Sequence, residues 1–406
     1  MIKRVFLFFL CILLLLSLTG CWDYTEYNNL AQIVAIGIDY NKDTSETILS
    51  LQFIPTAKAQ KSGEGEQSGS EGLVHSASDK TLYGALSKLQ QVVDKRFFYG
   101  YLSVLAIGEE AAKYNLLSTL ELIDRTPSIR TSAYIVFSPG KAEDILGTVD
   151  ASHAELTANT LSNLMLTSAS TGAAYPFTVQ QFMEMISTGG LEAVGPCVNT
   201  TIKELDILGG TQDNIKANEK KEGKLRVAGM AAFKGDKLAG WLDDKESIGY
   251  GFITGKKVLA YKYSYTDSGD ENVVYFRVAS SKSKIKVNHT GEMPSVDISI
   301  KLTCDMRKYV TNKASDYIDP EEMQKMESKL SNSIKSDIEA ALEKGQKKLQ
   351  SDIFGFGFTF FRAHPKLWQK QYEKKWDKLF PDIPVKVKVT SQILNTGTNL
   401  RKLEVK

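Results

Sequence analysis

Leu30-Ala31-Gln32-Ile33-Val34-Ala35-Ile36-Gly37-Ile38-Asp39-Tyr40 is rich in β-branched and apolar side chains, the composition of a buried strand. Asn41 to Ser45 carries turn residues, and Ile48 to Ile54 alternates well enough to be its hairpin partner. Outward from this hairpin, Leu73 to Ala77 reads as a short strand and about Asp79 to Lys95 as a helix. In that helix Leu82, Ala85, Leu86, Leu89, Val92 and Val93 recur at helical spacing, with Ser78 or Asp79 as the cap. Tyr101 to Ile107 is a strand, Leu116 to Asp124 a helix and Thr131 to Phe137 a further strand. This alternation predicts a sheet with helices packed on one face. Helices at Lys141 to Leu146, Ala154 to Leu166 and Thr178 to Ile186, then a strand at Leu191 to Thr201, complete the first half.

Two polar stretches punctuate the chain. Thr56 to Gly72 has no large apolar side chain and cannot bury enough surface to offset its ordering entropy, so it reads as a flexible loop. Gly209 to Gly223 is equally apolar-poor and reads as a linker or long loop. Beyond it, Leu225 to Phe233 and Lys237 to Leu242 predict a hairpin turning at Lys234-Gly235-Asp236. Short strands continue at Val258 to Tyr263, Val273 to Val278, Lys284 to Asn288 and Val296 to Cys304. Asp319-Pro320-Glu321-Glu322 then opens a helix: Asp caps, Pro fits the first turn and the acids complement the dipole. Its apolar stripe runs through Met326, Leu330, Ile334, Ile338 and Ala341 to about Gln350. A second helix is expected over Pro365 to Phe380, with Trp368, Tyr372 and Trp376 at steps of four, before strands at Ile383 to Leu394 and Leu400 to Val405.

The N-terminus decides where this body lives. Lys3 and Arg4 precede an apolar run from Val5 to Leu18, and Leu18-Thr19-Gly20-Cys21 follows, the layout of an export signal. The run falls short of the about 20 apolar residues of a membrane span. Leu18-Thr19-Gly20-Cys21 resembles the lipobox of bacterial lipoproteins, which implies diacylglycerol on the Cys21 thiol and cleavage that leaves Cys21 first, with an N-acyl chain on its amine left open. An ordinary signal with an incidental cysteine, or a short anchor helix, are the plainer alternatives. Beside the lipid, the Trp22 indole suits a membrane interface, and Asp23 offers a carboxylate to orient the emerging chain.

The expected fold class is α+β, a three-domain lipoprotein with mixed sheets, packed helices, and a long helix plus sheet in the C-terminal domain. The signal is 1–20, the N-terminal α+β domain 21–206, the linker or loop 207–224, a β-rich middle domain 225–290 and the C-terminal α+β domain 291–406. The chain's 42% apolar and 24% charged residues are those of an ordinary globular protein. Its excess of 50 bases over 48 acids is Lys3 and Arg4, so the body after the signal is formally neutral. Neutrality removes the electrostatic case for nucleic acid. Of four cysteines only Cys197 and Cys304 remain once Cys11 leaves with the signal and Cys21 takes lipid, and both read as buried free thiols.

Catalytic patterns are missing along the chain. Gly355-Phe356-Gly357 lacks the third glycine of a dinucleotide fingerprint because Phe360 occupies its place. Neither HExxH nor GxSxG occurs, and His75, His153, His289 and His364 are scattered. Ser281 to Lys284 matches SxxK within a predicted exposed strand, Asp243-Asp244 reads as a solvated turn, and Glu321-Glu322 as a helix start. Lys366, Lys370, Lys374, Lys375 and Lys378 form a basic face opposite the aromatic stripe, the default of a surface helix, with anionic lipid the sharper reading. No catalytic residue, metal ligand or cofactor is expected.

Three motifs stand out in order behind the lipobox. They are Cys21-Trp22-Asp23 with Ile36-Gly37-Ile38-Asp39; Gly229 to Leu242; and Asp352-Ile353-Phe354-Gly355-Phe356-Gly357 followed by Arg362, Pro365, Trp368, Trp376 and Phe380. Together they resemble the Ger(x)C family, the lipoprotein C subunits of spore germinant receptors. The resemblance implies a non-catalytic lipoprotein on the outer face of the spore inner membrane, acting with two polytopic partners, the A and B type subunits, in nutrient sensing. From chemistry alone, Gly355 and Gly357 supply backbone freedom or close packing at a helix-to-strand junction. Trp368 and Trp376 read as core, with interface anchors as the alternative. Two other function classes remain: a solute-binding lipoprotein of an importer, which requires two similar lobes around a cleft, and a surface hydrolase, which requires a nucleophile clustered with a base.

Overall fold

The computed structural model describes residues 2–17, 26–54, 74–148, 156–200, 224–256, 258–267, 270–289, 293–310 and 320–395. Cys21, Trp22, Asp23, the loop at 56–72, residues 207–223 of the expected linker and the strand expected at Leu400 to Val405 lie outside the described residues. The apolar N-terminal run forms α1 (Ile2–Ser17). Among the described residues no helix is long and apolar enough to cross a membrane.

The chain is α+β, and its described residues build two sheets. The first contains β1 (Leu30–Asn41), β2 (Glu46–Phe53), β3 (Val74–Asp79), β4 (Arg96–Phe98), β5 (Val104–Gly108), β6 (Tyr134–Ser138), β7 (Val194–Asn199), β8 (Arg226–Lys234) and β9 (Lys237–Leu242). Its order is β3-β2-β1-β5-β6-β7-β8-β9, with β4 beside the start of β1. Strands β1, β5, β6 and β7 run parallel, and antiparallel strands extend the sheet on both sides. The β1–β2 hairpin forms where the alternation predicts it.

β1 is apolar on both faces because helices cover both, which corrects the expectation of one covered face. An irregularity between Ile33 and Ala35 shifts the alternation. Ile33, Ile36 and Ile38 therefore meet α2 (Leu82–Val92) and α4 (Leu116–Asp124) on one side. Val34 and Ala35 meet α5 (Ala142–Leu146) and α6 (Thr157–Thr171) on the other. A short helix, α3 (Glu109–Tyr114), precedes α4, and α7 (Val179–Ser187) follows α6. The cap of α2 is Thr81, whose hydroxyl accepts from Gly84 N, in place of Ser78 or Asp79. Residues 201–223 fall between β7 and β8, which pair with each other, so the sheet runs through the expected domain boundary.

The second sheet has the order β10-β11-β12-β13: β10 (Ala260–Asp267), β11 (Asp270–Asn288), β12 (Ser295–Val310) and β13 (Val385–Asn395). The two strands expected at Val273 to Val278 and Lys284 to Asn288 are one, carried past Ala279 by a bulge. β13 runs parallel to β12, with a helical crossover between them. That crossover begins with α9 (Pro320–Leu342), which opens at Pro320 with Glu321 and Glu322 and widens into a π-helical turn over Glu343–Leu349. Met326, Leu330, Ile334, Ile338 and Ala341 are its buried stripe.

Between the two sheets lies α8 (Asp244–Thr254), which the sequence does not predict. Asp243, expected in a solvated turn, caps it in a reciprocal box with Glu246, and Asp244 pairs with Arg226. After the exposed Lys245 every residue of the helix is buried or half-buried, so no amphipathic period marks it. Its glycines make this burial possible: a Cβ on Gly249 would stand 2.1 Å from the Asp337 carbonyl oxygen of α9.

Candidate functional site

Each motif singled out in the sequence is a joint between elements. In Ile36-Gly37-Ile38-Asp39, the Asp39 carboxylate accepts hydrogen bonds from Ala142 N at 2.7 Å and Glu143 N at 2.9 Å, capping α5 from across the sheet. A Cβ on Gly37 would stand 2.9 Å from Leu146 Cδ1, so glycine is what lets α5 lie so close. Burial pushes the Asp39 carboxyl up, and the two backbone donors hold it down.

The Gly229 to Leu242 motif is the β8–β9 hairpin. Gly229 has φ +83°, and a Cβ there would meet Leu242 O at 2.7 Å. At the turn, Gly235 N donates to the Glu192 carboxylate at 2.7 Å. Residues around Glu192 continue the stitch: Phe233 N donates to Ala193 O at 3.0 Å, and Glu192 N to Asp352 O at 3.0 Å.

The third motif closes this junction. Asp352 is buried, and its carboxylate accepts from Phe356 N at 3.1 Å, Gly357 N at 2.8 Å and Trp376 Nε1 at 2.8 Å. The two backbone donors belong to the first turn of α10 (Phe356–Ala363), where an anion complements the helix dipole. Burial pushes the Asp352 carboxyl up to about 6, against the pull of these donors. Gly355 stands before the helix with φ +70°. A Cβ on Gly357 would stand 2.6 Å from Trp376 Nε1 and 2.7 Å from Trp368 Cη2, so the two indoles close over bare backbone. Phe358 N donates to Gly190 O at 2.7 Å, and Ser351 Oγ to Phe233 O, tying this turn to the first sheet.

Trp368 and Trp376 are buried, with ring centroids 5.1 Å apart, and Phe360 packs against both and against Tyr372. The single helix expected over Pro365 to Phe380 is interrupted. A short helical turn at Pro365–Leu367 leads into a π-helical turn at Trp368–Tyr372 and a final turn at Trp376–Leu379. These breaks let the three rings converge on Phe360. Pro365 is exposed and occupies the first helical position, where its missing N–H costs nothing. The glycine junction leads into a helix, α10, where a strand was expected. With no helix predicted there, Asp352 receives no role from sequence; an acid just ahead of a glycine-led aromatic run is the signal that marks it.

Other candidates disperse. Ser281 and Lys284 point to opposite faces of β11, so they form no nucleophile and base pair: Ser281 pairs with buried Leu302 and Lys284 with Ser299 on the outer face. His289 and His364, distant in sequence, meet with ring centroids 4.6 Å apart. Among the described residues no group of three or more His, Cys, Asp or Glu is placed to hold a metal ion. Cys197 and Cys304 are buried free thiols in different sheets, both pushed up to about 12 by burial. Lys366, Lys370, Lys374, Lys375 and Lys378 are all exposed.

Two unequal α+β sheets, joined through motif residues spent on packing, define the class of protein. A family model described as the spore germination protein N-terminal domain matches residues 23–200, and one described as spore germination B3/GerAC like, C-terminal, matches residues 228–397. The chain belongs to this spore germination family, the Ger(x)C family. It is 28% identical over 406 residues to spore germination protein KC of Bacillus subtilis (strain 168), covering 98% of this chain and 97% of that relative. It is 22% identical over 395 residues to spore germination protein B3 of the same organism, covering 95% and 96%. The crystal structure of the GerBC protein shares the fold with a TM-score of 0.51 at 17% identity, covering 89% of this chain and 97% of that one.

Proposed function

We propose that this chain is the lipid-anchored C subunit of a nutrient germinant receptor, held on the outer face of the spore inner membrane through Cys21. It is not an enzyme; it docks on two polytopic subunits of A and B type and helps couple nutrient recognition to germination. The observation that carries this reading is similarity along nearly the whole chain to spore germination proteins. Leu18-Thr19-Gly20-Cys21 behind an apolar helix supports the anchor. Diacylglycerol on Cys21 confines the search for membrane partners to two dimensions and raises their effective concentration. Among the described residues the two sheets, one nine-stranded and mixed and the other four-stranded, do not make the similar lobes of a solute-binding protein.

The test is deletion of this chain followed by dipicolinate release from purified spores across amino acids, sugars and nucleosides, with a complemented strain beside it. Loss of response to one nutrient class is expected. An unchanged response to every nutrient, in a strain without related receptors, overturns the reading.

A further inference from the structure

The outer face of the second sheet carries a lysine array that the proposed receptor role does not use. Register places Lys282 opposite Lys301, Lys284 opposite Ser299, and Lys286 opposite Asp297 on β11 and β12. β13 adds Lys388 beside Ser299 and Lys386 beside Asp297. All six lysines are exposed, and Asp297, which accepts from Asn288 Nδ2 at 2.7 Å, is the acid among them. From strand geometry the array is about 10 Å across and about 14 Å along. Its charges lie within about one to two screening lengths of each other at physiological salt, roughly 8 Å. Like charges directly opposite, as at Lys282 and Lys301, destabilise a sheet.

Protection of an exposed edge explains lysines on β13, an edge strand. It covers Lys282, Lys284 and Lys286 as well, because β10 pairs with β11 only over 270–277; it does not explain Lys301 on β12, which is paired on both sides. We infer that this face docks on an anionic lipid surface. Its composition favours lipid over protein: Ser299 and Thr390 stand beside the lysines and the adjoining row holds Ser280, Thr303 and Gln392, with no aromatic ring among them. Protein interfaces are anchored by aromatic and arginine side chains and are poor in lysine. Flexible, hydrated ammonium groups instead suit headgroups that rearrange beneath them. The inference rests on the anchored reading for proximity: five residues separate Cys21 from the turn at Tyr27–Asn29, which therefore starts at most about 20 Å from the anchor.

The test uses the full chain reconstituted on vesicles of phosphatidylcholine alone or mixed with phosphatidylglycerol, with amine labelling of each lysine read by mass spectrometry. Flotation with phosphatidylcholine alone reads the anchor; the difference between the two compositions reads this face. Expected is a fall on the order of tenfold in labelling of the six lysines on the anionic vesicles, reversed by high salt. Equal labelling on both compositions overturns the inference. So does shielding by soluble polyglutamate without shielding by anionic vesicles, which would assign the face to an acidic protein.

In a K282Q/K284Q/K286Q variant, the composition dependence at Lys301, Lys386 and Lys388 is expected to disappear, with Tm unchanged or raised by the relief of repulsion. A K366Q/K370Q/K374Q variant is expected to keep it. The reverse pattern overturns the inference and transfers the contact to the C-terminal helical turns.

Discussion

Gly357 shows how much one residue decides. Its missing side chain lets Trp368 and Trp376 close over the backbone while the Trp376 indole reaches the Asp352 carboxylate. Gly357→Ala is expected to displace the indoles and loosen that bond, costing about 1–3 kcal/mol, the usual range for overpacking a tight core. Urea unfolding would read the loss, and near-ultraviolet circular dichroism the changed indole environment. A variant as stable as the parent with an unchanged spectrum would refute the close packing. The motif itself is plain in sequence as a glycine between aromatics. Its partner Asp352 is not, because the carboxylate has a role only once α10 and Trp376 are brought to it.

At the scale of elements, the contact between α8 and α9 carries a titratable group. Asp337 on α9 is buried beside α8, and accepts the Tyr261 hydroxyl from β10 at 2.6 Å. Lys245 on α8 stands 4.0 Å away, and Asp243 opposes the charge from the α8 cap. Burial raises the Asp337 carboxyl from 3.8 to about 6. The folded chain therefore takes up this proton before the unfolded chain does, so the linked stability is fully present below the unfolded value and is lost as pH rises through about 6. Relative to Asp337→Asn, the native chain should gain about 1 kcal/mol between about pH 7 and about pH 5. Paired Tm measurements across that range check it; a difference that is flat, or that shrinks on acidification, would refute it. Sequence foretells α9 through its Pro-Glu-Glu start and apolar stripe. It does not foretell α8, whose glycines and burial beyond Lys245 erase the period that normally betrays a surface helix.

At the scale of the molecule, the first sheet joins the two regions that separate family models match. β7 lies in one and β8 in the other, and they pair through Val194 with Ala232 and Gly195 with Ala231. A protease site engineered near position 213 and then cut should leave two fragments that elute as one particle and part only under denaturant. Fragments that separate in native buffer would mean that the shared sheet and its core do not hold the halves together.

The sequence by itself determined the α+β class, the first hairpin, the long C-terminal helix and the motifs, because these rest on local periodicity, caps and turn residues. Only the tertiary structure decided that helices cover both faces of the first sheet. It also decided that Asp39 caps a helix more than a hundred residues away, and that Asp352, Gly357 and Trp376 make one joint. Those outcomes depend on which surfaces meet, and close approach, desolvation and hydrogen bonding between distant segments leave no periodic mark on the chain that makes them.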